Sequence, residues 1–179
     1  MRVKNHRIEG VPYKAARNIG GVITPEIVVL HDTAGRLEKG NSAAYLRDNK
    51  AGVSVHFVVE RDGSIEQQVP LNRRAAHAGK SSFHGRSDCN AFSIGIEIVN
   101  TGSEPFPEPQ VQAVIALLGD LTTRHAIPKT QVIGHADLAP GRKIDPGAQF
   151  PWKRLFDAGF GIWPQGELVD PPPGFDGWN

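Results

Sequence analysis

Three side chains that could bind a metal ion occupy related places in the sequence. His31 and His135 each follow directly on a short apolar run, and Asp145 lies ten positions after His135. Two histidines and one carboxylate, with a fourth position open to water, form a catalytic zinc arrangement, whereas structural zinc sites usually have four protein ligands. Cys89 is the only cysteine, so a thiolate-rich structural site cannot be built. The set predicts one zinc ion per chain, although each histidine taken alone could simply be hydrogen-bonded at a strand end.

The loop before Asp145 carries a second candidate. Pro146 biases Asp145 toward an extended backbone, and Pro140 stiffens the same loop, which lowers the cost of ordering it around a metal. Lys143 lies two residues before Asp145, so in an extended loop both side chains point to roughly the same side. We expect Lys143 to stabilise negative charge on a tetrahedral intermediate. The alternative is an ordinary solvated lysine.

A glutamate inside an apolar strand is the candidate general base. By strand alternation Ile94, Ile96 and Ile98 share one face, and Glu97 points to the other face beside Gly95, which leaves space for a bulky neighbour. A carboxylate in such a strand is costly unless it is paired or has a function. If its face borders the metal, Glu97 can accept a proton from a water molecule there. The alternative is a solvent-facing glutamate on a half-exposed sheet.

The elements that must position these residues indicate an α/β fold. The apolar patterns predict strands over residues 27–30, 54–60, 65–69, 93–100 and 132–133, with helices over 41–50 and 109–124 and a short one near 152–157. We expect a single α/β domain over residues 1–179, with a mixed central β-sheet flanked by helices. Its core spans about 20–160, and a Pro/Gly-rich tail covers about 160–179. Open α/β sheets bind ligands at the carboxyl ends of their strands, so the zinc groove is expected there.

Composition excludes several classes of partner. The 20 basic and 19 acidic residues give a net charge of +1, which provides no basic excess for nucleic acid. The sequence has no run of about 18 apolar residues, so we expect no transmembrane helix. The polar start and the lone thiol favour the cytoplasm, with a periplasmic or outer-membrane protein as the alternative if a signal had been removed. We expect a monomer.

Five segments resemble the N-acetylmuramoyl-L-alanine amidase family. They occur in family order and are residues 29–34, 53–57, 76–81, 90–97 and 134–147. The resemblance implies a zinc ion held by His31, His135 and Asp145, with Glu97 and Lys143 as catalytic residues. Asp145 as the third ligand resembles the AmpD-like and AmiD-like branch, since other branches often have cysteine there.

The same resemblance implies a substrate. The enzyme would hydrolyse the amide between the lactyl group of N-acetylmuramic acid, or its anhydro form, and the L-alanine of the stem peptide. It would act on peptidoglycan fragments in recycling or turnover, with His77, Ala78 and Asn90 in contact with substrate. Two positions depart from the family, because members often have Trp in place of Ala76 and Tyr in place of Phe57.

Two other functions compete with the amidase. The first is a peptidoglycan-recognition module without catalysis, but such relatives lose a zinc ligand and here all three candidates are present. The second is a zinc hydrolase for another amide, which the ligand set alone does not exclude. Cleavage of a muramyl peptide with and without a chelator distinguishes the three.

Overall fold

The central sheet contains the strands that the apolar runs predict. The computed structural model describes residues 2–164. Its strands are β1 (Val3–Lys4), β2 (Arg7–Ile8), β3 (Ile27–Asp32), β4 (Phe57–Val59), β5 (Ile65–Gln67), β6 (Ser82–Phe83), β7 (Arg86–Ser87), β8 (Ser93–Ile98) and β9 (Val132–Gly134). Its helices are α1 (Asn41–Arg47), α2 (Glu108–His125), α3 (His135–Leu138) and α4 (Trp152–Asp157). Most of the predicted tail lies outside the described residues.

The sheet order is β5-β4-β8-β3-β9. Strands β4, β8, β3 and β9 run parallel, and β5 pairs antiparallel with β4, so the predicted mixed sheet is confirmed. The pairs β1–β2 and β6–β7 form separate two-stranded ribbons. Their strands are two residues long, too short for alternation to reveal them in the sequence.

Alternation along the strands divides the core between the two faces of the sheet. The face toward α2 contains Val28 and Leu30 of β3 and the three isoleucines of β8, packed with Val114, Leu118 and Leu121 of α2. Each such fully buried side chain contributes about 1.5–3 kcal/mol relative to exposure. Ile27 and Val29 lie on the opposite face with Leu138 of α3. His31 and Glu97 have the parity of this second face, so alternation keeps them out of the main core.

The helix ends differ slightly from the sequence prediction. Helix α1 ends at Arg47 rather than residue 50, and its N-cap is Gly40, at φ 83°. The Asn49 amide donates to the carbonyl of Tyr45 at 3.0 Å, so a side chain takes a carbonyl that the next turn would have used. Helix α2 begins at Glu108, one residue before the predicted start, and Pro109 lies in its first turn, where a missing backbone N–H costs no hydrogen bond.

Strand β4 is shorter than the predicted 54–60 because its first residues bond elsewhere. The Ser54 amide donates to the carbonyl of Ala76, and the Ala76 amide donates to Ser54 Oγ. His56 is fully buried, as expected for a packed histidine; its Nε2 donates to the carbonyl of Arg73, and its Nδ1 accepts from the amide of Gly95. Within residues 2–164 no helix has the length and apolar character needed to cross a membrane.

Candidate metal and catalytic site

The parallel register brings the candidate residues to one end of the sheet. His31 on β3 is the cross-strand neighbour of Glu97 on β8. On the other side of β3, Leu30 pairs with Gly134 of β9, so His135 follows at the level of His31. The carboxyl ends of three adjacent parallel strands thus position the two histidines and the glutamate, as expected for an open α/β sheet.

His31, His135 and Asp145 form a compact triangle of possible ligand atoms. The Nδ1 atoms of the two histidines are 2.9 Å apart, and Asp145 Oδ2 lies 3.1 Å from His31 Nδ1 and 3.0 Å from His135 Nδ1. Tetrahedral zinc with bonds near 2.0–2.1 Å separates its ligands by roughly 3.3 Å. The three atoms therefore have the identity and nearly the spacing that a tetrahedral metal requires, and the cluster could hold a metal ion.

The outer nitrogen of His135 fixes which nitrogen faces the cluster. His135 Nε2 lies 3.0 Å from the carbonyl of Ala78, which can only accept, so Nε2 carries the proton. In the neutral ring Nδ1 then presents a lone pair toward Asp145 and His31. A carbonyl behind a ligand histidine is a common device for orienting the ring.

The charge states at the cluster suit metal binding. Burial is the main cause that lowers the pKa of His31 to about 4, so the imidazole is neutral near pH 7. Burial alone would raise the pKa of Asp145, but the contacts of its carboxylate with the His135 and His31 rings in the metal-free site outweigh burial and hold that pKa well below its usual range. Neutral imidazoles and an ionised carboxylate are the forms that coordinate zinc.

A second aspartate, which was not among the residues predicted from the sequence, holds the Asp145 loop. The buried Asp32 accepts the amide of Gly147 through Oδ2 at 2.8 Å and the amide of Ala34 through Oδ1 at 2.9 Å. The carbonyl of Asp145 accepts the amide of Ala136 at 3.0 Å. In the sequence, the only signal for this role was an aspartate directly after the candidate ligand His31.

The segment after His135 is a short helix, α3, rather than the predicted loop. The Asp137 carboxylate accepts the amide of Gly134 at 2.8 Å, which stabilises the first turn. Four residues give too little periodicity for a sequence pattern to identify such a helix.

Glu97 has the environment of a proton acceptor. Burial, and then the negative charges of Asp145 and Asp32, raise its pKa to about 8, while the nearby Lys143 charge lowers it. Among the described residues Glu97 Oε2 is buried and has no hydrogen-bond partner. A buried carboxylate oxygen with no protein partner beside three ligand atoms is available to a substrate or a water molecule.

The cluster lies in a groove of about 990 Å³. Glu97, Lys143 and Asp145 all line it, so the two loop side chains share a side, as the extended-loop argument predicts. Lys143 is exposed, and its charge acts on both His31 and Glu97. The outer groove is formed by residues 33–36, 101–103 and part of α1.

The structure does not support substrate contact by Ala78 and Asn90. Ala78 is fully buried and Asn90 is 4% exposed. Asn90 Oδ1 instead accepts the amides of His77 and Ala78. His77 lines the groove as expected, but both its ring nitrogens bond to protein groups. Phe57 is fully buried in the main core, whereas Ala76 borders the groove.

The chain matches a known family over most of its length. Residues 22–148 match the family described as N-acetylmuramoyl-L-alanine amidase. The chain belongs to this amidase family. The candidate ligands and both candidate catalytic residues all lie inside the matched region.

Sequence and structure comparisons with individual amidases support this assignment. The chain is 45% identical over 103 residues to the 1,6-anhydro-N-acetylmuramyl-L-alanine amidase AmpD of Citrobacter freundii, covering 58% of this chain and 55% of AmpD. The crystal structure of a selenomethionine derivative of AmpD superposes with a TM-score of 0.81 and 30% identity, covering 88% of this chain and 99% of that one.

A structure of AmiD from Escherichia coli was determined in complex with anhydro-N-acetylmuramic acid-L-Ala-D-γ-Glu-L-Lys. It superposes with a TM-score of 0.73 and 36% identity, covering 85% of this chain and 63% of that one. The chain spans about half the length of the curated relatives that it matches. These amidases share the mixed sheet, so the predicted family and fold class are both confirmed.

Proposed function

We propose that the chain is a zinc-dependent N-acetylmuramoyl-L-alanine amidase. It hydrolyses the amide between the lactyl group of N-acetylmuramic acid, or its anhydro form, and the L-alanine of the stem peptide, in peptidoglycan recycling or turnover. The observation that carries the proposal is the triangle of His31, His135 and Asp145 next to the free carboxylate oxygen of Glu97. The muramyl peptide bound to AmiD supports the substrate class.

The donor set favours zinc over a harder cation. Mg²⁺ and Ca²⁺ prefer oxygen ligands, whereas two imidazole nitrogens and one carboxylate are typical of catalytic zinc. When bound, zinc acidifies a water molecule and polarises a carbonyl group. All three candidate ligands line the groove, which is where water and the scissile amide would meet them.

Glu97 moves the proton in this reaction. Its carboxylate takes a proton from the attacking water, and the protonated carboxyl then donates that proton to the departing amine of L-alanine. A pKa raised by burial makes the ionised carboxylate a stronger base than that of an exposed glutamate, and it lets the protonated form persist near neutral pH until it donates to the amine. The free Oε2 atom requires no broken protein bond before it can act.

Lys143 contributes positive charge at the mouth of the site. Its ammonium group is exposed in the groove and can turn toward a developing oxyanion. Such charge stabilises the tetrahedral intermediate more than the neutral amide, which is the condition for raising kcat.

The groove can take a ligand larger than the scissile amide. Its lining includes the exposed Tyr45 of α1 and the exposed Ile144. Those apolar surfaces suit the sugar ring and the methyl groups of a muramyl peptide.

The monomeric state and the cytoplasmic location of the protein both stay predictions from the sequence.

The direct test of the function is hydrolysis of anhydro-muramyl tripeptide by the purified protein, followed by chromatography of the free peptide. We expect cleavage at the lactyl–alanine amide, complete loss of turnover with a zinc chelator, and recovery on adding zinc. Binding without cleavage would instead indicate a recognition module. Chelator-sensitive cleavage of other amides with no action on the muramyl peptide would indicate a different zinc hydrolase.

Lys143→Met tests the oxyanion role. Methionine keeps most of the stem's packing and removes the charge, so stability should change little. We expect kcat to fall on the order of a hundredfold, as for other oxyanion donors, with little change in KM. The measurement is steady-state hydrolysis of the muramyl peptide. Lys50→Met is the matched control, because Lys50 is exposed outside the groove. An increase confined to KM would mean that Lys143 only binds substrate.

A further inference from the structure

Two hydrogen-bonded side chains, His77 and Ser93, lie behind the candidate ligand His31. His31 Nε2, on the side of the ring away from the metal triangle, is 2.9 Å from His77 Nδ1. His77 Nε2 is in turn 3.0 Å from Ser93 Oγ. Ser93 is fully buried at the start of β8, so these hydrogen bonds end inside the protein. His31 therefore contributes Nδ1 to the metal triangle, and its Nε2 contacts the buried pair His77 and Ser93.

The ring of His77 is held by its surroundings. It lies on Gly95, where a Cβ atom would come within 2.5 Å of His77 Cγ, so only glycine leaves room for it. This is the bulky neighbour for which the strand glycine leaves space. The main chain of His77 is fixed as well, because its amide donates to Asn90 Oδ1 at 2.9 Å.

The hydrogen bonds that join His31, His77 and Ser93 can have two donor–acceptor orientations, and only one of them leaves His31 Nδ1 free for a metal ion. If Ser93 donates to His77 Nε2, then His77 Nδ1 carries a proton and donates to His31 Nε2. His31 must then carry its own proton on Nδ1, which blocks that ligand atom. If His31 Nε2 donates to His77 Nδ1, then His77 Nε2 donates to Ser93 Oγ and His31 Nδ1 is a free lone pair. A hydroxyl can fill either role, so Ser93 permits both directions.

The second ligand histidine has no such ambiguity. His135 Nε2 faces the carbonyl of Ala78, which only accepts, so its tautomer is fixed. His77 and Ala78 are adjacent, and Asn90 Oδ1 accepts both of their amides. One short loop thus supports both ligand histidines, through a side chain for His31 and a carbonyl for His135.

We infer that His77 is a positioning residue that accepts the Nε2 proton of His31 and so holds His31 Nδ1 ready for the metal. The sequence did not predict this role, and it rests on the metal site of the proposed function. Partners behind ligand histidines typically change metal affinity or activity about 10- to 100-fold when removed.

Two substitutions of His77 distinguish this role from simple packing. The amide oxygen of asparagine is as far along the side chain as Nδ1 is in histidine. His77→Asn therefore keeps an acceptor for His31 and loses the bond to Ser93. Glutamine reaches the distance of Nε2, so His77→Gln keeps a partner for Ser93 and removes the acceptor for His31. Both variants lose the aromatic ring over Gly95, so they are matched for packing.

The readouts are the zinc dissociation constant, measured by competition with a chromophoric chelator, and the visible absorption of the Co²⁺ form. We expect His77→Gln to raise the zinc Kd about 10- to 100-fold and to alter the Co²⁺ spectrum. His77→Asn should stay close to wild type in both. Thermal unfolding of the metal-free proteins, expected to be alike for the two variants, controls for folding.

Wild-type zinc affinity in His77→Gln would overturn the inference. An equal loss of zinc affinity in both variants would also overturn it. Zinc affinity would then depend on the packing of the His77 ring and not on its hydrogen-bond acceptor. The proposed function fails separately, if wild-type protein binds zinc with these properties but does not cleave the muramyl peptide.

Discussion

His31→Ala is expected to lose zinc and hydrolysis together. The substitution leaves His135 and Asp145 as the only protein ligands at the triangle, and two ligands hold zinc poorly. Turnover should fall to the level of chelator-treated wild type, because the same ion is missing in both. The measurements are zinc content after dialysis and hydrolysis of the muramyl peptide by the same sample.

A surface histidine provides the control for this experiment. His84 is exposed and lies at φ 47° in the turn between β6 and β7. Asparagine tolerates that left-handed backbone, so His84→Asn should keep wild-type zinc and turnover. Full zinc occupancy in His31→Ala would remove His31 from the metal site, whatever happened to activity.

Glu97→Gln is expected to separate metal binding from catalysis. Glutamine has nearly the same shape but cannot take a proton from water, so turnover should fall by about two to four orders of magnitude. Zinc content should stay at the wild-type level, since Glu97 is outside the ligand triangle. The folded protein should be no less stable, because the change removes a buried carboxylate beside Asp145 and Asp32. The comparison needs kcat, zinc content and denaturant unfolding on the same preparations.

Glu38 offers a matched substitution for that comparison. It is exposed and lies outside the groove, so Glu38→Gln should change none of the three quantities. Near-normal turnover in zinc-loaded Glu97→Gln would contradict the general-base role and leave Glu97 as a structural residue at a strand end.

The main elements of the fold were predictable because their patterns are local. The β-branched run before His31 and the three isoleucines of β8 identify buried strands, and the apolar spacing of α2 identifies its helix. Alternation within β8 also assigns Glu97 to the face away from the isoleucines. The two-residue strands and the four-residue α3 were not predictable, because they are shorter than the period that would reveal them.

The ligand and catalytic candidates were also available from the sequence. Histidines at two strand ends and a proline-flanked aspartate indicate a metal site, and the family resemblance adds the roles of Glu97 and Lys143. The match over residues 22–148 confirms the family, while each residue's role stays a prediction for the variants above to test.

The order of residues along the chain was enough to identify the side chains that could do chemistry and the strand face on which they lie. The groups that support those side chains became identifiable only in the folded protein. The two candidate ligand histidines are 104 residues apart, and His77 is 46 residues from the His31 ring that it contacts. The periodicity of the sequence does not predict such contacts. Side-chain alternation determines the sheet face to which a side chain points, but not which distant residue it meets there. The contacts of Asp32, His77 and Asn90 follow from parallel strand register and loop packing, which bring distant backbone amides and ring nitrogens within hydrogen-bonding distance.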